Sequence, residues 1–114
     1  MNTFYYLSSC DTCKRIMKEL NLPEEITLVD LKKGVDEATI DGWFAHTQSY
    51  EALLNKRAQK LKGIDKNNLK EADIRNLLLT HYTFIKRPIL SYQKQLFIGN
   101  AKATVAAAIK ALHE

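Results

Sequence analysis

No stretch of this 114-residue chain approaches the roughly 18 apolar residues that a membrane-crossing helix requires. Its opening, Met1-Asn2-Thr3-Phe4-Tyr5-Tyr6-Leu7, is apolar but short and has no basic leader, so no secretory signal is expected. Cysteine is scarce: there are two, Cys10 and Cys13, where a disulfide scaffold needs more of them spread along the chain. The excess of basic over acidic residues is small, 17 against 13. Lys56, Arg57, Lys60, Lys62 and Lys66 are interspersed with acids and amides, which reads as a solvated face and not as a nucleic-acid arm. The net charge of +4 still steers anionic partners toward the chain. There is no second cysteine pair, and His46, His81 and His113 lack paired ligand spacing, so no metal site is expected. No internal repeat or low-complexity linker interrupts the sequence, and residues 1–114 read as one domain.

What is present is a globular composition, 46% apolar and 26% charged, with a clear order of elements. Thr3 to Leu7 has the residues of a buried strand, and Ser8-Ser9-Cys10-Asp11 breaks it with short polar residues suited to a helix start. From Thr12, Ile16, Met17 and Leu20 recur at helical spacing until Asn21-Leu22-Pro23 ends the run. Ile26 to Leu31 reads as a second strand, so the chain opens with a βαβ unit. The middle, approximately 36–81, reads as a helical insertion: a helix over Asp36 to His46, shorter pieces at Tyr50 to Leu54 and Ala58 to Leu61, and an amphipathic stretch over Asn68 to His81. Tyr82 to Leu90 returns to strand character, Ser91 to Gln95 is turn-like, and Leu96 to Gly99 is a short strand, together suggesting a hairpin. Ala101 to His113 is an Ala-rich helix former. The expectation is an α/β fold with a mixed sheet of about four strands flanked by helices.

The chemistry is expected at the two thiols. A cysteine attacks as its thiolate, and Cys10 falls at a strand-to-helix turn where free backbone N–H groups and the helix dipole favour an anion. Lys14 and Arg15, within one turn, add positive charge, whereas the Asp11 carboxylate opposes ionisation. Cys13, three residues on, lies one helical turn deeper on the same face, placed to attack a mixed disulfide on Cys10. Cys10 is therefore read as nucleophile and Cys13 as resolving thiol, with Ser9, Asp11 and Lys14 around the turn as substrate contacts.

Four segments, Cys10-Asp11-Thr12-Cys13-Lys14, Leu53-Leu54-Asn55-Lys56-Arg57, Arg87-Pro88-Ile89 and Ile98-Gly99, occur in the order in which the arsenate reductase-like family carries its motifs. The chain resembles that family over its whole length. Its members include glutaredoxin-coupled arsenate reductases, related thiol reductases and Spx-type transcription regulators. The resemblance implies a thioredoxin (glutaredoxin)-like fold with a helical insertion. It puts Cys10 on the catalytic cysteine, Cys13 on the second position of the Cys-x-x-Cys version, and Arg87 on an oxyanion-contacting arginine. It also puts Pro88 on the cis-proline beside the reactive sulfur and Arg57 near a second anion-contacting arginine. The arsenate reductases carry a further arginine where this chain reads Leu96-Phe97-Ile98-Gly99, and apolar residues cannot hold arsenate. The implied activity is a thiol-dependent reductase of small anionic or disulfide substrates, without a bound cofactor and with glutathione or glutaredoxin as reductant. A cytoplasmic monomer is expected. The alternatives are a redox-sensing regulator that binds RNA polymerase and a true arsenate reductase.

Overall fold

Strand β1, Thr3–Tyr6, is followed by helix α1, Asp11–Leu20, and by β2, Thr27–Asp30, which pairs with β1 in parallel. The computed structural model describes residues 2–114, except for the side chain of Lys66. They divide into two compact units, one running to Lys32 and resuming at Arg87–Glu114, the other spanning Lys33–Lys86.

The first unit closes with β3, Ile89–Tyr92, β4, Gln95–Ile98, and α4, Lys102–His113. β3 lies antiparallel to both β1 and β4, giving one mixed sheet in the order β2-β1-β3-β4. This is the thioredoxin-like α/β architecture. Helical spacing in α1 puts Ile16 and Leu20 on one face, where they meet Phe4 and Leu90 from the sheet and Ala108 and Leu112 from α4. Each large side chain of that set gains roughly 1.5–3 kcal/mol from leaving water, so the cluster fixes α1 and α4 to the sheet. The last turn of α4 is also tied down: His113 Nε2 donates to the Leu20 carbonyl at 2.7 Å. Asn21 ends α1 in the left-handed conformation, φ 47°, just ahead of Pro23.

The second unit contains α2, Glu37–Thr47, and α3, Glu71–Thr80, joined by short 3₁₀ turns at Glu51–Leu53, Gln59–Leu61 and Lys66–Asn68. Asp36 caps α2, its Oδ1 accepting from the Thr39 N–H at 2.8 Å. The helices are cross-tied through Asp41, whose two oxygens accept from Arg75 Nε and Nη2 at 2.9 Å each, while the Tyr50 hydroxyl donates to it at 2.7 Å. Ile40, Trp43, Leu53, Leu61, Ile74, Leu78 and Phe84 are buried within this unit.

Three segments differ from the sequence expectation. Tyr82–Phe84 forms a 3₁₀ turn rather than a strand, because His81 Nδ1 accepts from the Thr83 N–H at 3.0 Å and curls the chain; Ile85 then makes an isolated bridge to Leu54. Strand pairing in the first unit starts only at Ile89, after the proline. The hairpin turn is tighter than Ser91 to Gln95: only Gln93 and Lys94 lie outside the strands, at φ 47° and 65°, the two positive values of a type I′ turn. The amphipathic stretch is helical from Glu71, since Lys66–Asn68 forms a separate turn around Asp65.

Candidate functional site

The end of β1 delivers the chain into a turn over Leu7–Cys10, closed by the Cys10 N–H donating to the Leu7 carbonyl at 2.9 Å. Cys10 is the N-cap of α1, with extended backbone at φ −99° and ψ 115°, and its carbonyl accepts the first helical bond from Lys14 at 3.2 Å. Counting from that cap, Cys13 is the third helical residue. Its N–H is one of the donors that helix geometry leaves without an intrahelical acceptor. The two-residue spacing of the cysteines thus aims the Cys13 N–H at the Cys10 sulfur.

A neutral thiol is a weak acceptor and closes no capping bond here; the N–H acts on the anion. Cys10 is partly exposed. Desolvation raises its pKa, but the Cys13 N–H, the Cys13 thiol, and the hydrogen bond and charge of the Arg87 guanidinium outweigh that, so the sulfur ionises below the ordinary thiol value. Cys13 is fully buried, and burial first, then the adjoining Cys10, push its thiol up to about 11 against the Leu7 N–H and Arg87. One sulfur is prepared to ionise and its neighbour is held protonated.

Sheet register explains how Arg87 reaches this turn. β1 and β3 pair with Tyr5 opposite Ile89, so the residues before Ile89 run beside the end of β1 from which the cysteine turn departs. The Arg87–Pro88 bond is cis, as the family resemblance implies, and Pro88 is buried. The Gly99 N–H donates to the Pro88 carbonyl at 2.8 Å, from a backbone at φ 93° that glycine adopts without the penalty of a Cβ.

The other candidates are placed as follows. Ser9 and Asp11 are exposed on the turn and the first residue of α1. Lys14 is exposed, and Arg15 turns away to Glu19 at 3.0 Å, so the guanidinium acting on Cys10 is that of Arg87 and not that of Arg15. Arg57 belongs to the second unit, exposed, with its N–H donated to Asn55 Oδ1 at 3.2 Å. Leu96, Phe97 and Ile98 lie in β4, half-buried. Asp30, absent from the sequence candidates, accepts from the Ser8 N–H at 3.4 Å and the Lys32 N–H at 3.1 Å. No spacing rule announces it, since in the sequence it is only the polar end of a strand. Among the described residues, no group of three or more His, Cys, Asp or Glu stands together as a metal site. No helix among them is long and apolar enough to cross a membrane.

The family model for ArsC matches residues 5–108. The chain belongs to the ArsC family. Membership places it among thiol-dependent reductases, a family whose partners are thiol reductants of the glutaredoxin type. Among solved structures, it is similar to the YffB protein, at 25% identity and TM-score 0.77, covering 96% of this chain and 99% of that one. It is also similar to an arsenate reductase (ArsC) related protein from Brucella melitensis, at 26% identity and TM-score 0.71, covering 93% and 92%. A Yersinia pestis protein at 14% identity shares the fold, with TM-score 0.75 over 94% and 99% of the two chains. A comparison with curated proteins gives no match.

Proposed function

We propose that this ArsC-family member is a thiol-disulfide reductase whose nucleophile is Cys10 and whose resolving thiol is Cys13, drawing electrons from glutathione or a glutaredoxin-type thiol. The observation that carries this reading is the arrangement around one sulfur: a partly exposed Cys10 at the N-cap of α1, facing the Cys13 N–H and the Arg87 guanidinium.

The Cys10 thiolate attacks one sulfur of an oxidised substrate, R–S–S–R′, forming Cys10–S–S–R and expelling R′–S⁻, which takes a proton from solvent. Arg87 holds an anionic group on the substrate. In the free protein Cys10 itself raises the pKa of Cys13, through a hydrogen bond and through charge. Once Cys10 is bound in a mixed disulfide it carries no charge, so that part of the restraint on Cys13 disappears while the Leu7 N–H and Arg87 remain. Cys13 then ionises more readily, attacks the Cys10 sulfur, closes the Cys10–Cys13 disulfide and releases R–SH. Two external thiols restore the pair and leave as a disulfide. Free thiols working in this way suit a reducing, cytoplasmic compartment.

The test is reductase turnover with a small mixed disulfide such as that of glutathione and a model thiol. Cys10→Ser should abolish turnover. Full activity in that variant would overturn the assignment.

The Cys-x-x-Cys pair also favours a second reading, a redox-sensing regulator resembling Spx. It requires retention of purified RNA polymerase that changes between reduced and oxidised protein. Arsenate reduction is the narrower third reading, to which the apolar Leu96-Phe97-Ile98 run in β4 offers no charge. It requires arsenate-dependent turnover with glutaredoxin.

A further inference from the structure

Asp30 ends β2 directly opposite Tyr6, the last residue of β1, and so stands at the point where the chain leaves the sheet for the cysteine turn. Its Oδ1 accepts from the Ser8 N–H at 3.4 Å and from the Lys32 N–H at 3.1 Å. The Ser8 hydroxyl beside the carboxylate, followed by the Lys32 N–H, holds Asp30 below the usual carboxylate range, so it is a charged acceptor at neutral pH.

Ser8 is the second residue of the turn that Asp30 grips. The turn touches both sulfurs: its first residue, Leu7, presents its N–H to Cys13, and its last is Cys10, closed onto the Leu7 carbonyl. The sequence of the turn itself supplies little rigidity, since neither Ser8 nor Ser9 is a proline and Ser9 is exposed.

We propose that Asp30 is a positioning residue for the Cys10 thiolate: by anchoring Ser8 it holds the turn so that the Cys10 sulfur meets the Cys13 N–H and Arg87. This rests on the reading of Cys10 as nucleophile and adds a residue to that site. Asp30 acts through the backbone of the turn and touches no substrate. Its role requires an acceptor atom at Oδ1 and does not require the charge.

The experiment is the pH dependence of Cys10 alkylation by iodoacetamide, in the wild type and in Asp30→Asn and Asp30→Ala. Asp30→Asn keeps an oxygen facing Ser8; Asp30→Ala removes it. The alanine variant should raise the Cys10 midpoint and slow alkylation at pH 7 by about threefold or more, the change in thiolate fraction that goes with half a pKa unit. The asparagine variant should track the wild type. An unchanged midpoint in Asp30→Ala, or an equal rise in both variants, overturns the proposal. Should the alanine variant lose its native circular dichroism, Asp30→Leu, of similar size and without an acceptor, takes its place, with a rise of the same sign expected and an unchanged midpoint overturning the inference. A wild-type midpoint equal to that of an ordinary thiol would defeat the proposed function instead, so the two failures are distinguishable.

Discussion

The Arg87 guanidinium hydrogen-bonds the Cys10 sulfur and adds its charge to that contact, although the two residues are far apart in sequence. Arg87→Ala removes both contributions and should raise the Cys10 midpoint. Alkylation at pH 7 should slow by about threefold to tenfold, on the scale of half to one pKa unit. Arg87→Lys keeps a charge but loses the planar fork, and should fall between alanine and the wild type. The size of the effect depends on pH: variant and wild type converge above the ordinary thiol value, where both are ionised. Stopped alkylation followed by mass spectrometry measures all three curves.

Cys13 is expected to be silent until Cys10 has reacted with a sulfur. Limiting iodoacetamide at pH 8 should give a single adduct, on Cys10, because a buried thiol pushed up to about 11 is almost wholly protonated there. Cys13→Ser should stop the reaction at the mixed disulfide, visible as a stable mass increase. Release of the substrate thiol at the wild-type rate from that variant would show that Cys13 does not resolve it.

Within the second unit, Arg75→Ala should lower the thermal midpoint at neutral pH. Asp41 is held down to about 2 by the Arg75 hydrogen bonds and then by the Tyr50 hydroxyl. A depressed carboxylate stabilises the fold above its unfolded value and loses that contribution as pH falls. The deficit of the variant should therefore shrink between pH 3.8 and about 2 and vanish below it. A deficit independent of pH would mean that Arg75 matters through packing alone.

Phe4 is fully buried at the centre of the first unit. Phe4→Ala should destabilise by about 3–5 kcal/mol, a large part of what a domain of this size has in hand, and a urea midpoint would show it. Leu28, on the edge strand β2 and 51% exposed, is the contrasting case. Leu28→Lys should change stability by less than about 0.5 kcal/mol.

Most of the first unit was legible in the sequence because its signals are local. Ile16 and Leu20 at helical spacing, the Asn21-Leu22-Pro23 stop and the polar Ser8-Ser9 break need no distant partner to act. What escaped depends on partners far along the chain. Tyr82-Thr83-Phe84 has the residues of a strand, yet the His81 ring bonds to the Thr83 N–H and turns the backbone. Gln93-Lys94 lacks the Asn-Gly pair that advertises a type I′ turn, and the pairing of β3 with β4 imposes the geometry regardless. At the site, the helix terminus under Cys10 could be read from residue types. The source of the added charge could not: Lys14 and Arg15 are the nearest cations in sequence, but Arg87 acts on the sulfur because β1 and β3 are neighbours in the sheet. Asp30 was invisible for the same reason, its partner Ser8 being 22 residues away.

The bond from Gly99 to Pro88 ties a buried joint to the residue beside Arg87. Gly99 lies between β4 and α4, and the carbonyl it holds belongs to the residue after Arg87. Gly99 holds that bond from a backbone at φ 93°, so a substitution there is expected to disturb the peptide next to Arg87, and slower alkylation of Cys10 would show it.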